Sequence, residues 1–264
     1  MHRHLVTTDN LRADTCVLGK EEARHLQTVL RVKPGDMIQL FDGQGHTRIV
    51  SVVPPVSHFM KCETTQSEQK PSKYALCLEA VEPVVAHPKP TCTITLFVCI
   101  SKGKHMDWTI EKAVELGVSH IVPVISDRTI VRVDVDDRDA KADRWMRIAE
   151  EATRQCGSAW LPGILAPRSF KESLVLVKQT TPTFVAALTP DAKPFRNFLL
   201  PPPSSLPPPP SQAGWFVGPE GDFTPDELKH LLEAGAVPVS LGPLVLRAET
   251  ACLYGLCALN CAWM

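Results

Sequence analysis

The sequence predicts an α/β protein with two domains, a small β-barrel over residues 1–86 and a larger α/β domain over residues 87–264. Short strand-like segments separated by turns fill the first part, and one clear helical pattern interrupts them. A continuous apolar run at residues 93–100 then opens a region where strand-like and helix-like segments alternate. This alternation is typical of a parallel sheet covered by helices.

The elements of the barrel are predicted from local patterns. Residues 37–41 (MIQLF) and 47–53 (TRIVSVV) are strand-like, and the turn Asp42-Gly43-Gln44-Gly45 between them predicts a hairpin. Residues 21–30 form the helical segment, and residues 74–81 (YALCLEAV) predict a later strand.

The elements of the α/β domain are amphipathic helices and short buried strands. Residues 107–116 carry apolar side chains at helical spacing up to Gly117, a residue that commonly ends helices. Residues 143–156 predict a second helix, whose apolar face is Trp145, Ile148, Ala149, Ala152 and Cys156. Further strands are predicted at residues 121–125, 183–188, 215–217 and 237–241.

Composition argues against several classes of protein. The net charge is −1 at pH 7, so any contact with nucleic acid must come from a local basic patch. The nine cysteines form no CxxC pair and no zinc-type spacing with histidine, so we expect no metal site and a reducing, cytoplasmic location. The sequence has no apolar run of about 18 residues that would predict a membrane span, and its N-terminus lacks the apolar segment of a signal peptide.

The segment VGPEGDFTPDEL, residues 217–228, predicts a strand, a glycine loop and a helix start. Thr224, Pro225 and Glu227 match a capping box with proline at the first helical position. The loop has no lysine, and its acids Glu220 and Asp222 would repel a phosphate. It therefore favours a neutral or cationic ligand held mainly by backbone, or else it is an ordinary tight turn.

Two further loops follow apolar strands, and all three can meet at the edge of a parallel sheet where α/β proteins bind ligands. They are LTPDA at residues 188–192 and LGPLVLRAETA at residues 241–251. In the latter, Arg247 and Glu249 interrupt a long apolar stretch. Burying such charges is costly unless they are paired or used, so they predict either functional groups or an Arg–Glu structural pair.

Two segments near the C-terminus have unusual composition. Residues 201–210 (PPPSSLPPPP) predict an extended polyproline loop, with recognition by a proline-binding domain as the alternative. Residues 249–264 are almost wholly apolar or small, which predicts a helix buried in its own domain or at a subunit interface. Its cysteines, Cys252, Cys257 and Cys261, are expected to be small buried apolar residues.

Five fragments along the chain carry a resemblance to a known family. They are HLQTVLRVKPGDMIQLFDGQG, SKGKHMDWTIEKAVELGVSHIVPVISDRT, EEATRQCG followed by Pro162, GPEGDFTPDEL and LGPLVLRAETA. In this order and spacing the chain resembles the SPOUT-class RNA methyltransferases, and among them the bacterial E-type enzymes that methylate uridine N3 in small-subunit ribosomal RNA. The resemblance covers nearly the whole chain.

The resemblance implies a PUA-like β-barrel at residues 1–86 that helps to hold RNA. It implies a SPOUT α/β domain with a trefoil knot at residues 87–264, in which residues 201–210 are an insertion. S-adenosylmethionine would be the methyl donor, ribosomal RNA or the small ribosomal subunit the partner, and a homodimer would form through the C-terminal helix. Methyl transfer in one displacement is expected, with Arg247 stabilising the anion that develops on the uridine.

The resemblance also implies roles for individual residues. The cofactor pocket would be lined, largely through backbone, by Leu188, Gly218, Gly221, Leu241, Gly242, Leu246 and Thr250. Arg247 and Glu249 would border the reacting centre. Arg31, Lys102 and Lys104 are candidates for RNA contact, with solvated surface charge as the alternative.

The chain departs from the family pattern at three positions. Ser158 replaces an arginine after the QCG of the middle helix, and Leu244 and Ala248 replace the arginine and threonine of RILRTETA. Side chains near the expected substrate edge are therefore missing, which favours the first of two alternative functions. A non-catalytic RNA-binding protein would bind RNA without S-adenosylmethionine, and a small-molecule α/β enzyme would not bind RNA.

Overall fold

The computed structural model describes residues 1–28, 31–54, 76–199 and 209–263, which form two compact units, Met1–Pro88 and Lys89–Met264. The first unit combines a mixed β-sheet with short helices. Its elements are β1 (His2–Leu5), α1 (Thr8–Arg12), β2 (Thr15–Leu18), α2 (Lys20–Thr28), β3 (Met37–Phe41), β4 (His46–Val53), β5 (Leu76–Ala80) and β6 (Val85–Ala86).

The sheet of the first unit runs in the order β1-β3-β4-β5-β2, with β6 paired to β4. Strand β1 lies parallel to β3, and the other strand pairs are antiparallel. The predicted hairpin is confirmed, since Phe41 on β3 pairs with Thr47 on β4. Gly43 and Gly45, with φ of 71° and 91°, turn the chain between these strands, as only glycine readily does.

The second unit alternates strands and helices. Its elements are β7 (Thr93–Cys99), α3 (Lys104–Glu115), β8 (His120–Ile125), α4 (Arg138–Cys156), β9 (Gly163–Ile164), β10 (Arg168–Ser169), α5 (Phe170–Gln179), β11 (Thr183–Ala186), β12 (Lys193–Pro194), α6 (Arg196–Leu199), β13 (Gln212–Val217), α7 (Pro225–Glu233), β14 (Ala236–Ser240) and α8 (Ala248–Trp263). Within the described residues, every strand pair of this sheet is parallel, as predicted.

Strands of this sheet are buried on both faces. The strand order is β10-β8-β7-β13-β11-β14-β12, with β9 beside β8. Along β7, Leu96 packs into one core with residues of α3, α4 and α8, whereas Phe97 packs into another with residues of α5 and α7. The continuous apolar run of β7 is explained by this double burial.

Helix α8 packs closely against β13 because it has a glycine at the contact. A Cβ atom on Gly255 would lie 2.0 Å from the Trp215 ring, and the Trp215 indole N–H donates to the Ala251 carbonyl at 3.1 Å. Cys252 is buried on this inner face, as expected. The prediction that Cys257 and Cys261 are buried was wrong, because both lie exposed on the outer face of the helix.

Other sequence expectations were wrong in detail. Helix α4 begins at Arg138, five residues before the predicted start at residue 143. Cys156 is exposed and not part of the apolar face, because α4 ends there and Gly157 (φ 86°) turns the chain out of the helix. Of residues 201–210, only Pro209 and Pro210 belong to the described residues. No helix among the described residues is long and apolar enough to cross a membrane.

Candidate functional site

A cavity of about 450 Å³ lies where three strands of the parallel sheet end. The loops after β11, β13 and β14 supply most of its wall, and the start of α8 completes it. These are the three loops that the sequence predicted would meet at one edge, and the volume suits a small ligand. The lining includes Leu188, Val217, Gly218, Pro219, Glu220, Asp222, Leu241, Gly242, Leu244, Leu246, Arg247 and Glu249.

The loop between β13 and α7 is fixed by hydrogen bonds at both of its ends. The predicted capping box is confirmed, since Thr224 Oγ1 accepts from the Glu227 N–H at 3.2 Å and Glu227 Oε2 accepts from the Thr224 N–H at 2.9 Å. Asp222, with φ of 59°, forms the turn by donating its N–H to the Pro219 carbonyl at 2.9 Å. The left-handed residue of this loop is thus an aspartate and not one of its glycines.

The two glycines of this loop contact different neighbours. A Cβ atom on Gly218 would lie 3.0 Å from the Phe223 ring, so packing alone disfavours a larger residue there. Gly221 lies outside the cavity lining, and its carbonyl accepts from Arg128 Nη1 at 2.7 Å. Gly218 therefore faces the cavity, whereas Gly221 anchors the loop to the segment after β8.

The loop after β14 brings Arg247 to the cavity. Gly242, with φ of 127°, turns the chain just after the strand, and the loop then leaves Leu244 75% exposed. Arg247 is itself exposed, so its charge carries no cost of burial. Leu244 and Val245 of the same loop are also exposed, so the apolar stretch around Arg247 is not a core segment.

Glu249 pairs with a residue that the sequence patterns did not single out. Its Oε1 lies 3.2 Å from His105 Nδ1, and both residues line the cavity. The side chain of Glu249 is 15% exposed and that of His105 57%. Glu249 is therefore joined to the first turn of α3 rather than forming the Arg–Glu structural pair. No local pattern could have revealed a contact between residues so far apart in the chain.

The remaining predicted site residues lie outside the cavity lining. Thr250 is exposed on the first turn of α8, beside Glu249. Lys102 and Lys104 are exposed at the start of α3, next to His105. Arg31 belongs to the first unit, where it is exposed and has φ of 54°.

Charge around the cavity is mainly negative. Glu220, Asp222 and Glu249 contribute carboxylates, and Arg247 contributes the guanidinium. This set suits a ligand that carries a positive centre, and it leaves one cation for an anion that develops during a reaction.

A cysteine nucleophile does not fit this site. Cys252 follows the lining residue Ala251 on α8, and burial raises the pKa of its thiol. Burial also raises the pKa of Cys99, at the end of β7, to about 12. Both thiols stay protonated near neutral pH, whereas thiolate is the nucleophilic form. No group of side chains that could hold a metal ion occurs in the described ranges.

Comparisons with known proteins extend over both units. The family model of the RNA methyltransferase domain matches residues 87–260, and that of the RNA methyltransferase PUA domain matches residues 18–53. The ribosomal RNA small subunit methyltransferase E of Bacillus subtilis is 30% identical over 250 residues, covering 94% of this chain and 90% of the relative. The chain belongs to the ribosomal RNA small subunit methyltransferase E family.

Solved structures agree with membership of this methyltransferase family. The methyltransferase E of Neisseria gonorrhoeae, solved bound to S-adenosyl methionine, is 29% identical with a TM-score of 0.79, covering 100% of this chain and 98% of its own. A Legionella pneumophila protein, solved with the bound cofactor SAM, is 25% identical with a TM-score of 0.81, covering 98% of this chain and 97% of its own. The predicted fold class, a PUA-like unit followed by a SPOUT-class α/β unit, is confirmed.

Proposed function

We propose that the protein transfers a methyl group from S-adenosylmethionine (SAM) to N3 of a uridine in small-subunit ribosomal RNA. The single observation that carries the proposal is the convergence of Arg247 and the acidic loop after β13 on one cavity. Membership of the ribosomal RNA small subunit methyltransferase E family supports methyl transfer to small-subunit ribosomal RNA.

The lining of the cavity suits SAM in charge and polarity. SAM carries a sulfonium cation and a protonated amine, which the carboxylates of Glu220, Asp222 and Glu249 complement. Apolar residues for the adenosine come from the loops after β11 and β14, namely Leu188, Leu241 and Leu246. Gly218 and Gly242 lie in the lining and leave their backbone accessible to SAM. Gly221 and Thr250 would contact SAM from positions just outside the lining. When bound, SAM supplies an electrophilic methyl group.

Arg247 is proposed as the catalytic cation. Uridine N3 is a poor nucleophile until it loses its proton, and the base then carries negative charge. A guanidinium at the cavity wall stabilises that charge as it develops, and the walls align the base with the methyl group. Exposure of Arg247 is compatible with this role, because RNA would cover it only when bound.

RNA contact and self-association complete the proposal. Arg31, Lys102 and Lys104 are exposed cations that would neutralise RNA phosphates. A homodimer would form through the outer face of α8, where Tyr254, Cys257 and Cys261 are exposed. The segment is almost wholly apolar or small in sequence, which is typical of a helix that is buried on each side.

The test is methyl incorporation into small ribosomal subunits with labelled SAM, followed by chromatography of the digested nucleosides. We expect label in N3-methyluridine, and Arg247→Ala should lower the rate about a hundredfold, the scale for one preorganised charge stabiliser. Arg196→Ala, an exposed arginine on α6, is the control and should keep the wild-type rate. RNA binding by a wild-type protein that methylates no nucleoside would favour the non-catalytic alternative.

Salt dependence separates the catalytic cation from the phosphate contacts. Arg31→Ala should weaken RNA binding and lower the slope of log affinity against log salt by about one unit. Arg247→Ala should leave that slope unchanged, because it acts on the base. Equal slopes for Arg31→Ala and wild type would remove Arg31 from the RNA contact.

A further inference from the structure

His105 and Glu249 form a close pair of ionisable side chains at the wall of the cavity. The imidazole extends from the first turn of α3 and the carboxylate from the first turn of α8. Their atoms approach to 3.2 Å through Nδ1 and Oε1, and the more exposed partner is the histidine. Nδ1 is thus the ring nitrogen that lies beside the carboxylate.

The carboxylate favours one tautomer of the ring. An ionised carboxylate can only accept a hydrogen, so the tautomer with its hydrogen on Nδ1 suits the side that faces Glu249. In that tautomer Nε2 is the nitrogen that can accept a proton. A histidine beside a carboxylate at a cavity is an arrangement that general-base catalysis uses.

Charged groups surround the pair. Lys102 and Lys104 are exposed on the segment that carries His105, and Arg247, Glu220 and Asp222 line the same cavity. A cation that forms on His105 during the reaction would lie beside the Glu249 carboxylate.

We propose that His105 is the general base that removes the N3 proton of the uridine, with Glu249 as its positioning residue. The inference rests on the proposed methylation. As the methyl carbon bonds to N3, the carbon–sulfur bond breaks and sulfur keeps its electron pair, while the N3 proton moves to Nε2 of His105. His105 then leaves the step as an imidazolium paired with Glu249, and solvent takes the proton afterwards.

The alternative is an ion pair that only fastens α3 to α8. His105→Arg separates the two roles, because arginine keeps the pairing with Glu249 but cannot accept a proton. His105→Gln keeps a hydrogen-bond donor without the charge. His230→Gln is the matched control, since His230 is an exposed helical histidine outside the cavity lining.

The experiment measures N3-methyluridine formation against pH, together with SAM affinity by calorimetry. Both His105 variants should bind SAM within about twofold of wild type but lose about a hundredfold in kcat, as for a missing general base. The deficit should shrink as pH rises and hydroxide replaces the base, and the control should follow wild type throughout. Wild-type kcat in His105→Arg would overturn the inference while leaving the proposed function intact. Absence of N3-methyluridine with wild type would overturn both.

Discussion

At the scale of single residues, Gly242 determines the path of the loop that carries Arg247. Its φ of 127° is a conformation that L side chains rarely adopt, and a Cβ atom there would meet nothing within 4 Å. Substitution therefore costs backbone strain, about 1–3 kcal/mol, rather than a clash. We expect Gly242→Ala to lower SAM affinity about tenfold in a calorimetric titration, because the loop must shift to relieve that strain.

Gly235 provides the control for this prediction. It has φ of 95° and equally open surroundings, but it lies between α7 and β14, outside the cavity lining. Gly235→Ala should lose similar stability in thermal unfolding and keep the wild-type affinity for SAM. Equal loss of affinity in the two variants would mean that strain acts on the whole unit and not on the loop.

The sequence predicts the role of a residue where local spacing decides that role. It misses the role where a contact with a residue far away in the chain decides it. The capping box at Thr224 and Glu227 follows from local spacing, so it was predictable. The contact of His105 with Glu249 depends on how α3 packs against α8, which no spacing rule encodes. The exposure of Arg247 could not be read from its apolar neighbours, because residues of the same loop, such as Leu244, are themselves exposed.

At the scale of elements, Arg128 connects the loop after β8 with the acidic loop after β13. Its Nη1 donates to the Gly221 carbonyl at 2.7 Å and to the Phe223 carbonyl at 3.4 Å. Next to it, the Asp127 N–H donates to the buried Glu227 at 2.9 Å. These bonds hold the segment that presents Glu220 and Asp222 to the cavity.

Loss of this connection should weaken SAM binding and spare the chemical step. We expect Arg128→Gln to raise the KM for SAM about fivefold at unchanged kcat, which corresponds to one hydrogen bond of about 1 kcal/mol. Arg132→Gln, an exposed arginine in the same loop, should leave both constants unchanged. A fall in kcat with constant KM for Arg128→Gln would contradict a role in positioning the loop.

The packing of α8 on β13 should be intolerant of even one methyl group. In Gly255→Ala, the new Cβ would overlap the Trp215 ring, so helix and strand must move apart. We expect a loss of about 3 kcal/mol in the free energy of unfolding, measured with denaturant. Val175→Ala, at an exposed position on α5 outside the proposed interface, should change it by less than about 0.5 kcal/mol. Unchanged stability in Gly255→Ala would contradict the close packing.

Helices and strands were predicted correctly where the spacing of apolar residues shows which face is buried. The apolar run at β7 predicted a strand, and the apolar stripe at α4 predicted a helix. Both predictions are confirmed. The first turn of α4, RDAK, has no apolar stripe because it does not pack in the core, so the start of the helix was placed too late. Helix α1 has only five residues, too few to display a helical period, and its capping residue Thr7 was the one local signal.

At the scale of the whole molecule, the proposed dimer can now be tested without disturbing the fold. Leu256 and Leu259 are fully buried in their own unit, so charged substitutions there would unfold the chain. Tyr254 lies exposed on the outer face of α8. We expect a dimer at micromolar concentration by light scattering, and Tyr254→Glu should yield folded monomers.

Val175→Glu is the control for the dimer, since Val175 is an exposed apolar residue on α5. It should remain dimeric. A wild-type protein that is monomeric at these concentrations would contradict the proposed interface.

The division into two units was predictable because short strands and turns fill the first part of the sequence, whereas strands and helices alternate in the second. The fold class followed from the order of the motifs that carry the family resemblance. The trefoil knot stays a prediction from the resemblance. Periodicity reports which face of an element is buried, and it carries no information on which loop the chain passes through. Knots are also so rare that general topology rules argue against them.

Calorimetric titration of the wild-type protein with SAM tests the central claim most directly, because every proposed role depends on SAM occupying the cavity beside Arg247. We predict saturable binding of one SAM per chain, weakened in Gly242→Ala and retained in Gly235→Ala. The absence of saturable binding by a folded wild-type protein would contradict the account.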